Sequence, residues 1–155
     1  FHYAGFAAPI LAGMVGRHLH EPTHPSTSAL RGFYAVFAII VMLGPALVAV
    51  GITFSPQVEA VMGAILAIGY TGLALIVLGQ GMWRAKGFFA RVFLAISALS
   101  AMVTMVVAAA YALRTFNLFP FLSIPQMVAV HGWGNAVGFV FFGLLGWALN
   151  QKPTR

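Results

Sequence analysis

Two apolar stretches of this chain each contain a histidine. The first is "FHYAGFAAPILAG", with His2 near its start, and the second is "VAVHGWGNAVGF", in which Asn135 follows His131 by one helical turn. Imidazole accepts protons near neutral pH and is the commonest metal ligand. Ionisable side chains inside membrane segments are rare and tend to mark ligand, ion or proton sites. The two histidines are therefore the first candidates for chemistry.

The composition predicts the surroundings of these histidines. Of 155 residues, 61% are hydrophobic and only 6% are charged, whereas soluble domains are about 25% charged. The chain is predicted to be an all-α, polytopic transmembrane helical bundle whose partner is the lipid bilayer. Its net charge of +6 is scattered over connecting loops, which excludes a nucleic-acid-binding patch. Other membrane subunits are a second class of partner.

Five apolar segments are predicted as helices, at about residues 1–16, 32–53, 58–83, 92–113 and 126–149. The first is shorter than the roughly 20 residues that cross a hydrocarbon core, so it is interpreted as a helix truncated at its N-terminus. The chain starts without methionine. Residues 1–155 are accordingly interpreted as a single transmembrane domain, the C-terminal part of a longer protein.

Loop charge predicts the orientation of the bundle. The first loop, the third loop and the tail hold most of the basic residues, namely Arg17, Arg31, Arg84, Lys86, Arg91, Lys152 and Arg155. The positive-inside rule places these three segments in the cytoplasm. The prediction is a multi-pass protein of the bacterial cytoplasmic (inner) membrane with a cytoplasmic C-terminus.

Helix rise then gives the depth of each polar residue. His2 lies about 21 Å above the inner end of its segment, His131 about 27 Å and Tyr70 about 21 Å. All three are predicted in the outer half of the bundle, at depths where they could meet. Glu59 is predicted near the outer surface and facing water, and the loop histidines His18, His20 and His24 are expected to be solvated.

Helical spacing places each histidine on a stripe with small residues. The stripes are His2, Gly5, Pro9 and Gly13 on the first segment, and His131, Gly134, Asn135 and Gly138 on the fifth. Glycines four residues apart allow close helix packing. Both stripes are predicted as packing faces, with Asn135 bonding His131 or sharing its partner.

Four interpretations of the histidines stay open. In the first, they have a structural role and make interhelical hydrogen bonds worth about 0.6 kcal/mol. In the second, they belong to a transporter-like or small-molecule-binding site formed by His2, Tyr3, Tyr70, His131 and Asn135. In the third, His2 and His131 hold a haem or pigment, or the chain is an accessory subunit. In the fourth, the two histidines hold a metal in an enzyme acting on a lipid-soluble substrate, although without a carboxylate they are an incomplete metal site. No catalytic motif was found, so no catalytic residue is predicted.

The segments "FHYAGFAAPILAG" and "HGWGNAVGF" together resemble the YndJ-like family of bacterial membrane proteins. The resemblance implies a polytopic protein, longer than this chain on its N-terminal side, in a family with some transporter-like members. It also implies that six residues are family features: His2, Tyr3, His131, Gly132, Asn135 and Gly138. It supplies no substrate.

Overall fold

The computed structural model describes residues 3–22, 26–116 and 123–150. Within them the chain forms five helices and no strands. We name the helices α1 (residues 3–19), α2 (Ser28–Phe54), α3 (Pro56–Arg84), α4 (Phe88–Ala112) and α5 (Ile124–Asn150). The predicted all-α, polytopic bundle of five segments is confirmed. The chain is an integral membrane protein.

Four of the five helices are long and apolar enough to cross a membrane. Helices α2 to α5 contain 25 to 29 residues each, and their most apolar windows have a mean hydropathy of 1.5 to 2.6. Each helix packs mainly against its neighbour in sequence, α2 against α3, α3 against α4 and α4 against α5. The described residues therefore form an up-and-down bundle.

The connectors are shorter than the sequence predicts. The loop expected over residues 17–31 loses both ends to helices, because α1 continues to Leu19 and the Thr27 side chain caps α2 by accepting the Leu30 N–H. The connector expected over residues 84–91 shrinks to residues 85–87, since Gly87, at φ 92°, turns the chain directly into α4. Such positive φ values are comfortable only for glycine. Ser55 alone joins α2 to α3.

Helix α1 is the best-buried helix of the bundle. Five of its side chains form one inward face: Ala8, Leu11, Ala12, Val15 and Leu19. The predicted packing stripe on this helix was wrong, because Gly5 and Gly13 are exposed and a Cβ built on either would meet nothing within 4 Å. Two alanines one turn apart supply the small face that two glycines were expected to supply.

Candidate functional site

The predicted pairing of the two histidines cannot be placed, since His2 lies outside the described residues. Tyr3 is the first residue of α1, and only its backbone is described. Contact between these residues and His131 therefore stays a prediction. The other three predicted site residues, Tyr70, His131 and Asn135, lie in well-defined helices.

His131 is half-buried on α5 and hydrogen-bonds to α4. Its Nδ1 lies 3.2 Å from the backbone carbonyl oxygen of Thr104. A carbonyl oxygen only accepts, so Nδ1 carries the proton and Nε2 of the neutral ring keeps its lone pair. No hydrogen bond to Nε2 is found within the parts of the chain that the structure describes. The ring is thus fixed through one nitrogen and has the other available for a ligand or a proton.

Asn135 is buried one turn beyond His131 and joins the same partner. Its Nδ2 donates to the His131 carbonyl oxygen at 2.7 Å, and its Oδ1 accepts from the Thr104 hydroxyl at 3.1 Å. The prediction that Asn135 shares the partner of His131 is confirmed, and that partner is Thr104. Both ends of the Asn135 amide are engaged, so this residue braces the site.

Thr104 is the site residue that sequence reasoning missed. It was interpreted as a hydroxyl bonding to its own helix. Thr104 shares its single hydroxyl proton between two acceptors, the Ala101 carbonyl oxygen at 3.2 Å in its own helix and Asn135 Oδ1 at 3.1 Å. It also receives the His131 ring through its carbonyl. The signal available in the sequence was a small polar residue within the apolar segment 92–113.

Glycines bring α4 and α5 close together along the predicted stripe. A Cβ built on Gly134 would lie 2.5 Å from the Thr104 side-chain methyl, and one built on Gly138 would collide with the Ser100 hydroxyl. Ser97 donates to the Phe139 carbonyl oxygen at 2.7 Å. The packing face predicted for α5 is confirmed. We call this contact the α4–α5 seam, formed by Ser97, Ser100 and Thr104 against Gly134, Gly138 and Phe139.

The seam coincides with a change of helix type. Residues Gly134–Phe141 of α5 are π-helical, a segment that begins three residues after His131. Segments of this kind are rare inside α-helices and are frequently found at functional sites. The wider turn frees carbonyl groups from the regular i to i−4 pattern. The His131 carbonyl, which accepts from Asn135, lies three residues before this segment.

Tyr70 lies beside an apolar cavity. It is 4% exposed on α3, its ring packs edge-on against Phe139 with centroids 5.7 Å apart, and it lines an apolar cavity of about 30 Å³ together with Ala8 and Ala101. No hydrogen bond links it to His131 or Asn135 among the described residues. The structure thus places Tyr70 at this cavity, and its membership of a site with His131 stays a prediction.

Two expectations about other titratable residues were wrong. Glu59 does not face water, because its side chain is 13% exposed and its carboxylate accepts a hydrogen bond of 3.1 Å from Arg114, just beyond α4. His18 is not solvated, since it is 8% exposed with its ring 5.4 Å from that of Trp147. His20 is exposed as expected, and His24 lies outside the described residues.

No group of three or more His, Cys, Asp or Glu side chains that could hold a metal ion occurs in the described part of the chain. His131 is the member of the predicted ligand pair that the structure describes. Thr104, the residue on α4 to which it hydrogen-bonds, has a carbonyl and a hydroxyl. This arrangement orients an imidazole, but it contains no second strong ligand for a transition metal.

Comparison with known proteins assigns the chain to a family. Residues 1–139 match the family model described as YndJ-like protein. The chain belongs to this family. It is 28% identical over 154 residues to a Bacillus subtilis (strain 168) relative named "Uncharacterized membrane protein YndJ", covering 99% of this chain and 26% of that relative. The chain thus spans about a quarter of that relative. No solved structure matches.

Proposed function

We propose that this chain forms part of a transporter-like membrane protein that binds a small molecule or relays a proton at His131. The observation that carries the proposal is the hydrogen bond from Nδ1 to the Thr104 carbonyl oxygen. It fixes the tautomer and the ring plane, which is how proteins prepare an imidazole whose other nitrogen must act. Asn135 and the close glycine contacts keep α4 at the distance that this bond needs.

One end of the bundle carries most of the basic residues and gives the orientation of the protein in the membrane. The connector between α3 and α4 lies at the same end of the bundle as the C-terminal end of α5, because the Lys86 N–H donates to Asn150 Oδ1 at 2.9 Å. Basic residues concentrate at this end, which favours a cytoplasmic position. We infer that the protein lies in the inner membrane of a bacterium with its C-terminus in the cytoplasm. In this orientation His131 lies in the outer half of the membrane.

A flux measurement tests the proton-relay role of His131. The full-length protein is reconstituted into liposomes that contain a pH-sensitive dye, and a potassium diffusion potential is imposed. We expect the wild type to change internal pH faster than empty liposomes, and His131→Ala to fall to the rate of empty liposomes. The variant should remain folded, since the lost hydrogen bond contributes about 0.6 kcal/mol.

Thr104→Val is the matched control for this experiment. It removes the hydroxyl that bonds Asn135 but leaves the carbonyl that receives His131. We expect it to retain proton flux while its melting temperature falls. Loss of folded protein in His131→Ala would assign the histidine to helix packing, and a wild-type rate equal to that of empty liposomes would contradict the relay.

A further inference from the structure

An open groove runs along one side of the bundle, between α2, α3 and α4. Its volume is about 560 Å³, within the 300–1,000 Å³ typical of ligand sites. Among the described residues that line it, Thr71 is the only polar one. Most of the lining residues are small or apolar, among them Ala64, Ala67, Gly72, Ala109, Ala110 and Leu113. The groove therefore suits a hydrocarbon and excludes a polar solute.

The groove is elongated in the direction of the helices. Its lining on α3 extends from Ala64 to Leu75, a rise of about 16 Å. The helices that bound it are long enough to cross the membrane. A chain lying in the groove would therefore run along the membrane normal, as the acyl chains of the bilayer do.

A cationic residue follows the lining of the groove by one position in the chain. Arg114 directly follows the lining residue Leu113, and its guanidinium stacks over the Tyr111 ring at 3.8 Å. Its Nη1 makes two hydrogen bonds, to Glu59 Oε1 at 3.1 Å and to the Tyr111 carbonyl oxygen at 2.9 Å. A guanidinium has five N–H donors. The donors on Nε and Nη2 make no hydrogen bond within the described residues.

The ion pair of Arg114 and Glu59 presents mainly its positive charge to its surroundings. In the ion pair, the Glu59 side chain is 13% exposed and the Arg114 side chain is 36% exposed. The carboxylate is therefore shielded by the cation that it holds in place. A guanidinium with one unused edge, here the edge of Nε and Nη2, binds phosphate through paired hydrogen bonds.

We propose that this groove binds an acyl chain of an anionic phospholipid and that Arg114 binds the phosphate of that lipid. The apolar lining and the cation that follows it match the two chemical parts of such a molecule. The site is separate from His131, so the two proposals can fail independently.

The groove is tested with the full-length protein in nanodiscs, by competition between phosphatidylglycerol and phosphatidylcholine followed by native mass spectrometry. We expect the wild type to retain phosphatidylglycerol preferentially. Ala110→Phe, which fills the groove from a partly exposed position, should abolish the preference. Val103→Phe is its control, because Val103 is on the same helix, 61% exposed and outside the lining. Equal retention of phosphatidylglycerol by these two variants would overturn the proposal that the groove binds the lipid.

The phosphate contact is tested with two variants that break the same ion pair. Arg114→Gln should weaken phosphatidylglycerol binding about tenfold, as expected for loss of a hydrogen bond to a charged group. Glu59→Gln should bind at least as tightly as the wild type, since it keeps the guanidinium. Equal losses in both variants, or a wild type without preference between the two lipids, would overturn the role of Arg114.

Discussion

Replacing Gly51 with alanine should lower the free energy of unfolding by about 3 kcal/mol, at the upper end for overpacking. A Cβ at this position would collide with the Glu59 amide nitrogen and lie 2.6 Å from the Glu59 Cα. Backbone atoms cannot rotate away as a side chain can. Helices α2 and α3 cannot separate either, because Ser55 alone joins them and its N–H bonds the Gly51 carbonyl at 2.8 Å. Equilibrium unfolding in mixed micelles measures the loss.

Gly32→Ala is the control for the Gly51 variant. Gly32 is on the same helix, and a Cβ built there would meet nothing within 4 Å. Alanine is favoured over glycine within a helix by about 0.8 to 1.0 kcal/mol, so this variant should be as stable as the wild type or more stable. A similar loss in the two variants would contradict the close approach of α2 and α3 at Gly51.

The number and approximate position of the helices could be predicted because hydropathy and length depend on local sequence. The ends were harder to place, since each depends on one residue. Thr27 starts α2 by capping it, and Gly87 starts α4 by adopting a positive φ. Both residues fall in polar or glycine-containing stretches that are also typical of longer loops.

The rotation of a helix about its axis could be predicted only where one face differs clearly from the others in residue type. Helix α1 has glycines on one side and alanines on another, and either stripe permits close packing. The alanines Ala8 and Ala12 face the core, whereas Gly5 and Gly13 are exposed. That choice depends on the shapes of the helices around α1, which the sequence of α1 does not contain.

The same difference between local and packing-dependent features explains which parts of the candidate site could be predicted. The depth of a residue follows from helix rise. The rotation of its helix and the partner of its side chain follow from packing, and packing is what places Tyr70 at an apolar cavity. Glu59 is held by Arg114, a residue 55 positions away in the chain. On α5 the prediction succeeded because glycines, histidine and asparagine occupy one face. The partner face on α4 offers Ser97, Ser100 and Thr104 in matching positions.

Replacing Gly138 with alanine should lower the free energy of unfolding by about 2 kcal/mol, through overpacking of the α4–α5 seam. The added Cβ would collide with the Ser100 hydroxyl and lie 2.7 Å from the Ser100 Cβ. Gly132→Ala is the control, because Gly132 is in the same family segment and a Cβ there would meet nothing within 4 Å. Thermal unfolding of the full-length protein in detergent compares the two variants.

A double mutant identifies Ser100 as the cause of this loss. Ser100→Gly removes both atoms that the new Cβ would strike, so Gly138→Ala combined with Ser100→Gly should be more stable than the sum of the single effects predicts. Contacting residues show coupling energies of about 0.5 to 3 kcal/mol, and we expect about 1 kcal/mol here. Additive effects would mean that Gly138 does not approach Ser100. Gly138 would then have no role in holding α4 where its Thr104 carbonyl receives the His131 ring.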